Sequence, residues 1–100
     1  MRLVGIRGRL SGTSFVLDGR SLTMGRGAGN DVVLATPLAS RTHLELRHGQ
    51  GGWVLHDGGS TNGTSVNGKA LGQELPIPYD LTDGDVVLVG DTEAVFKCIL

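Results

Sequence analysis

Apolar and polar positions alternate in short runs along this chain, and the runs end at glycine, asparagine, aspartate or proline. In His43-Leu44-Glu45-Leu46-Arg47 the leucines fall on one side of an extended segment and the charged side chains on the other, the two-residue period of a strand with one wet face. Similar β-rich runs recur at intervals of about 8 to 12 residues, the spacing expected for a sandwich or barrel. They predict strands at Leu3–Arg7, Phe15–Asp18, Ser21–Gly25, Val32–Leu34, His43–Arg47, Trp53–His56, Ser65–Val66, Val86–Val89 and Ala94–Ile99. No segment carries a helical period of comparable strength.

The breaks between runs have turn chemistry. His48-Gly49-Gln50-Gly51-Gly52 suits a short hairpin connection, and Asn67-Gly68 is a stronger hairpin signal because a type I′ turn needs positive φ at both central positions. Asp83-Gly84, ahead of Val86–Val89, reads as a third hairpin. Leu71–Leu81 contains Pro76 and Pro78, which argue against a central strand and for a surface connection. Seventeen glycines against three prolines fit a fold of many tight reversals. One hundred residues suffice for one continuous core and are too few for two. With no internal repeat, low-complexity segment or linker, the expectation is a single domain over residues 1–100.

Charge changes the picture by being uneven. Residues 1–50 carry seven arginines against Asp18, Asp31 and Glu45, or +4, and residues 51–100 carry two lysines against seven acids, or −5. A polyanion-binding protein is normally basic throughout, and the four aromatic residues form no interleaved basic-aromatic face for single-stranded nucleic acid. A local anion site in the first half is compatible with both facts. Cys98 is the only cysteine, so no internal disulfide forms and a reducing compartment is expected; its apolar setting reads as a buried packing thiol. The N-terminus lacks the apolar run of a signal peptide, and no stretch approaches the roughly 20 apolar residues of a membrane span. The expected location is cytoplasmic.

Three polar clusters fall at strand ends: Gly25-Arg26-Gly27-Ala28-Gly29-Asn30-Asp31, Ser40-Arg41-Thr42-His43 and Ser60-Thr61-Asn62-Gly63-Thr64. Together they offer guanidinium forks, hydroxyls, a carboxamide and glycine-exposed backbone N–H groups. That donor set suits a phosphoryl group carrying about −1.5 to −2 charges. Arginine's planar fork meets two phosphate oxygens at once, which a lysine does not reproduce.

These clusters, with Val32-Val33-Leu34, Trp53-Val54-Leu55-His56-Asp57, Gly59, Val66-Asn67-Gly68 and Leu81-Thr82-Asp83-Gly84-Asp85 in this order, closely resemble the forkhead-associated (FHA) domain pattern, from about residue 3 to residue 99. The resemblance implies an all-β fold, a two-sheet sandwich of about eleven strands with binding loops at one end. It implies a module that recognises phosphothreonine in a partner protein after a Ser/Thr kinase has acted, in signalling or complex assembly by tethering. Carried over by position, it implies that Arg26 holds one phosphate oxygen and Ser40, through hydroxyl and backbone, another. Arg41 adds a further donor, Thr61 lines the pocket for the phosphothreonine, and Asn62 fixes the peptide backbone. His43 resembles the family's structural histidine, bracing the loops that carry Gly25-Arg26 and Ser40; Gly25 and Gly63 serve backbone geometry. Asn30-Asp31 reads as a loop-stabilising pair that accepts backbone hydrogen bonds.

Other chemistries fit less well. Ser40, His43 and Asp57 are the residue types of a hydrolase triad, but no Gly-x-Ser-x-Gly elbow accompanies them, and the expectation is no enzyme activity. His43, His48 and His56 lack paired zinc-ligand spacing, so neither metal nor cofactor is expected. A phosphate-independent assembly domain using a sheet face is the alternative function; oligomeric state is left open. Two positions depart from the family pattern. Ser65 stands where many members carry an aromatic or apolar residue, and Leu38 where some place an arginine that selects an acid three residues after the phosphothreonine. With Asp91 and Glu93 in the last hairpin, the expected preference at that +3 position is apolar or small, not acidic.

Overall fold

The structure is a computed structural model that describes the chain apart from Arg9, Asp18, Arg20 and residues 91–93. Eleven strands follow one another: β1 (Arg2–Arg7), β2 (Ser14–Val16), β3 (Ser21–Gly25), β4 (Val32–Val33), β5 (Leu44–Gly49), β6 (Gly52–Asp57), β7 (Thr64–Val66), β8 (Lys69–Ala70), β9 (Tyr79–Asp80), β10 (Val86–Val89) and β11 (Val95–Ile99). They form a six-stranded sheet in the order β2-β1-β11-β10-β7-β8 and a five-stranded sheet in the order β4-β3-β5-β6-β9. Pairing is antiparallel except between β3 and β4. This is the all-β, two-sheet sandwich expected from the sequence.

The alternation sets the core. In the five-stranded sheet Leu22, Leu46, Leu55 and Tyr79 stand side by side, with Met24 next to Leu44. In the six-stranded sheet Leu3 stands next to Cys98, and Gly5, Phe96, Val87 and Val66 form a row. The two inner faces interdigitate around Phe96, Leu3, Leu44, Leu46 and Leu55, each almost fully buried. Each such side chain contributes on the order of 1.5–3 kcal/mol by leaving water. Cys98 is 0% exposed in this core, and burial, reinforced by the Asp85 charge, pushes its thiol up to about 12. It is the packing thiol that its sequence setting suggests.

The turns divide the expectations. Asn67 and Gly68 have φ of 52° and 82°, as a type I′ hairpin demands, between paired Val66 and Lys69. The glycine-rich hairpin is tighter than expected: Gly49 pairs with Gly52, which leaves Gln50-Gly51 as the turn, and His48 stacks on Trp53 at 4.9 Å between ring centroids. Asp83-Gly84 is not a hairpin. It turns the chain from β9 in one sheet to β10 in the other, because Asp85 accepts from the backbone and hydroxyl of Thr82 at 2.8 and 3.0 Å and from Asn67 at 2.9 Å. The strand read over Phe15–Asp18 appears as Ser14–Val16, Asp18 lying outside the described residues. The segment Leu71–Leu81 ends in β9, an edge strand beside β6, where the preceding prolines break no ladder.

Candidate functional site

The ends of β3, β6 and β10 and the starts of β5 and β7 converge at one end of the sandwich, so the three polar clusters come together there as loops. Their approach is close enough to dictate residue size. A Cβ on Gly25 would lie 2.3 Å from the Arg41 carbonyl oxygen, and one on Gly27 would lie 2.9 Å from Arg41 Cγ. The Arg26 N–H donates to the Ser40 carbonyl at 2.9 Å and the Gly27 N–H to the Arg41 carbonyl at 3.0 Å. Asn30 Nδ2 donates to the carbonyls of Gly27 and Arg41 at 2.8 and 2.7 Å, while the Asp31 carboxylate accepts from the Thr23 N–H at 2.8 Å. The pair does stabilise the loop, but Asn30 does so as a donor.

His43, 0% exposed, spans two loops. Its Nδ1 accepts from the Ser40 N–H at 3.1 Å, so Nε2 carries the proton and donates to the Gly63 carbonyl at 2.6 Å. Gly63 in turn accepts the Gly90 N–H at 2.8 Å. A Cβ on Gly90 would sit 3.0 Å from His43 Cε1, so the ring fills the space between these loops. Both ring nitrogens are occupied, and neither faces Asp57. The Ser40, His43 and Asp57 side chains therefore form no catalytic relay. The same bond takes away one expected donor: the Ser40 N–H is held by His43 and is not free for an anion. The Arg41 N–H, by contrast, has no partner among the described residues.

Ser40 Oγ accepts the Thr61 N–H at 3.0 Å, which joins the second cluster to the third and leaves the hydroxyl proton free to donate. Asn62 Nδ2 donates to the Leu38 carbonyl at 2.8 Å, and its side-chain oxygen has no partner among the described residues. Arg26, Arg41, Thr61 and Asn62 are all exposed, and among the described residues no carboxylate lies within ion-pair distance of either arginine. Arg26 and Arg41 line one cleft of about 650 Å³ with Gly27, Ala28 and Gly29. Thr61 and Asn62 line a second, of about 480 Å³. Ser40 lines neither; its hydroxyl stands at the junction with Thr61.

Asp57, weighed in the sequence only as a triad member, is the organiser of the third loop. Its carboxylate accepts from the Gly59 and Ser60 N–H groups and from the hydroxyls of Ser60 and Thr64. Partial burial pushes its carboxyl up, yet these bonds, led by the Ser60 hydroxyl, outweigh it and hold Asp57 below the ordinary carboxylate value. The signal was present in Asp57-Gly58-Gly59-Ser60, the sequence of an aspartate that bonds its own backbone two residues on. Asp91 and Glu93, invoked at the +3 position, lie outside the described residues.

Comparison with known proteins adds a family. A family model described as FHA domain matches residues 22–90. An FHA domain-containing protein of Arabidopsis thaliana is 33% identical over 97 residues, covering 95% of this chain and 25% of its own length. An oxoglutarate dehydrogenase inhibitor of Corynebacterium diphtheriae is 37% identical over 94 residues, 94% of this chain and 62% of its own length. This chain thus spans a quarter of the first relative and less than two thirds of the second. A structure from a study of phosphothreonine-dependent FHA domain interactions superposes with a TM-score of 0.77 at 31% identity, over 99% of this chain and 94% of that one.

Proposed function

This chain belongs to the FHA domain family, whose members are phosphopeptide-binding modules, and from that premise we propose that its loop end grips phosphothreonine with Arg26, Ser40, Arg41 and Thr61. The observation that carries the reading is the state of the donors. Among the described residues neither exposed arginine has a carboxylate partner, and the Ser40 hydroxyl at the neighbouring loop is held in position by the Thr61 N–H. Arg26 and Arg41 approach the phosphoryl oxygens from one cleft, the Ser40 hydroxyl from the junction, and the unpartnered Arg41 N–H replaces the Ser40 N–H as the backbone donor. Thr61 covers the threonine methyl. Asn62, pinned through one N–H to Leu38, offers its remaining amide atoms to the peptide backbone. His43, Gly25 and Gly63 hold the loops and touch no ligand.

The module acts as a tether, not as an enzyme, on a partner phosphorylated by a Ser/Thr kinase, in the cytoplasm, with residues 1–100 forming one FHA domain. No helix of the described residues is long and apolar enough to cross a membrane. At the +3 position the exposed Leu38 favours an apolar or small residue; strong enrichment of aspartate there in a phosphothreonine peptide library would overturn that preference.

Titration calorimetry tests the site. A phosphothreonine peptide should bind, with the phosphoserine and unmodified forms far weaker. Hydrogen bonds to a charged group are worth roughly 1.5–3 kcal/mol each, so Arg26→Ala should lower affinity by about ten- to a hundredfold or more. Unchanged binding by Arg26→Ala would remove the assignment.

A further inference from the structure

The two outward faces of the sandwich differ in chemistry. On the five-stranded sheet the register sets Thr23 beside Glu45 beside His56 and Ser21 beside Arg47, a polar surface crossed by the Arg47–Glu45 ion pair at 2.7 Å. On the six-stranded sheet it sets Val4 beside Lys97 beside Val86, with Leu88 between Val95 and Ser65. Val16 is 72% exposed and Ile6, at the irregularity in β1, 46%. An antiparallel strand with one wet face alternates apolar and polar residues, whereas Val86-Val87-Leu88-Val89 is apolar throughout, the pattern of a strand covered on both sides. Val87 and Val89 are buried against the core. On the outward row Val4, Val86 and Leu88 are half-buried and Val95 is buried, while Val16 and Ile6 stand open at its margin.

Two further observations say what covers this face. A shallow groove of about 370 Å³ runs over it between Ile6, Arg7, Val86 and Leu88. Ser65 and Leu88 line both this groove and the cleft at Thr61 and Asn62, so the two depressions are neighbours that meet at these two side chains. The charged side chains described on the outward positions of β1 and β11 are Arg2, Arg7 and Lys97, all exposed and all cationic. We propose that this face is a second docking surface, which takes an acidic segment with an apolar side from the same partner chain that presents the phosphothreonine. The shared partner rests on the phosphothreonine reading; the face itself requires no phosphate.

The charge argues for this occupant over the others. A second copy docking through a two-fold axis would bring this cationic face against itself. An anionic membrane attracts the cations, but the described outward strand positions of this face carry no Trp or Phe, and their leucine, Leu88, is half-buried, so the wedges that enter a bilayer interface are missing. Carboxylates around an apolar stripe match both properties at once.

The test uses the isotopically labelled chain and an unphosphorylated amphipathic peptide bearing leucines flanked by glutamates, with a lysine-flanked version as control. Amide resonances of Val4, Val86, Leu88 and Lys97 should shift with the glutamate peptide, also when a short phosphothreonine peptide saturates the loop end. Arg2→Glu combined with Lys97→Glu, both at exposed positions, should weaken the glutamate peptide about tenfold or more and leave the short phosphothreonine peptide unaffected. Joining the two peptides should raise affinity over the phosphothreonine peptide alone, and the charge-reversed protein should lose that gain. Absence of shifts on this face, or equal binding of the lysine-flanked peptide, overturns the proposal. So does capture of the face by phosphatidylserine vesicles alone, or by a second copy in sedimentation. If the glutamate peptide binds and the short phosphothreonine peptide does not, the shared partner is overturned and the phosphate reading fails with it.

Discussion

Asp57 carries four hydrogen bonds from three residues of its own loop, and the loop it shapes holds Thr61 and Asn62. Replacing it by alanine leaves the buried Thr64 hydroxyl unmet, at a cost of about 1–3 kcal/mol, frees the Gly59 and Ser60 N–H groups, and loosens the phosphate site without touching the ligand. Asp57→Ala should therefore lower both the melting temperature and phosphothreonine affinity, while Thr61→Ala should lower affinity alone; calorimetry of both kinds separates them. The sign of the pH effect follows from its depressed carboxyl. A group whose folded value lies below its unfolded one, about 3.9, contributes stability above that value and loses it as pH falls through the folded value. Acid unfolding of the native protein should thus show a loss below about pH 4 that Asp57→Asn lacks. At this scale the sequence was legible where a residue's partners lie close by in its fold: His43, read as a support for the loops, bonds Ser40 and Gly63. It was not legible where partners come from different loops. Nothing in Ser40-Arg41-Thr42-His43 tells that the ring of His43 takes the Ser40 N–H, or that Asn30 donates to Arg41.

Turns and strands show a similar division. Asn67-Gly68 was readable because its φ requirement is local, and the alternation of Leu44–Gly49 because two buried leucines fix its face. Asp83-Gly84 has the same local chemistry but a different outcome, since its destination depends on Asp85, which is tied to Asn67 across the fold. The two-residue strands β8 and β9 are too short to show any period, and only their partners β7 and β6 define them. Gly25 belongs to this scale too. Its need for glycine arises from the 2.3 Å approach that a Cβ would make to the Arg41 carbonyl where β3 meets the second loop. Backbone cannot retreat as a flexible side chain does, so Gly25→Ala must push Arg41 and the Ser40 carbonyl outward. The expected result is a loss of phosphothreonine binding larger than that of Arg41→Ala, together with lowered thermal stability. A substitution in an exposed turn, Gly51→Ala, where a Cβ meets nothing within 4 Å, should leave binding unchanged.

Across the whole molecule, the described cationic loops and the acidic second half make binding electrostatic in reach as well as in contact. The second ionisation of a phosphoryl group falls near pH 6, so affinity should rise between about pH 5.5 and 7.5 and fall with added salt. Cys98 reports on a different global property. It sits in the core between the sheets with its thiol pushed up to about 12 from an ordinary 9.0, so at pH 8 almost none of it is thiolate while the protein is folded. Thiol labelling therefore requires the sandwich to open, and the labelling rate should follow global unfolding in denaturant. A group raised in the folded state contributes stability that is fully present below its unfolded value and is lost as pH climbs towards the folded one. Between pH 9 and 11 the native protein should lose stability that Cys98→Ala does not lose. Fast labelling at neutral pH without denaturant would mean that the β1–β11 pairing opens by itself, and Cys98 would then not be a thiol closed within the core.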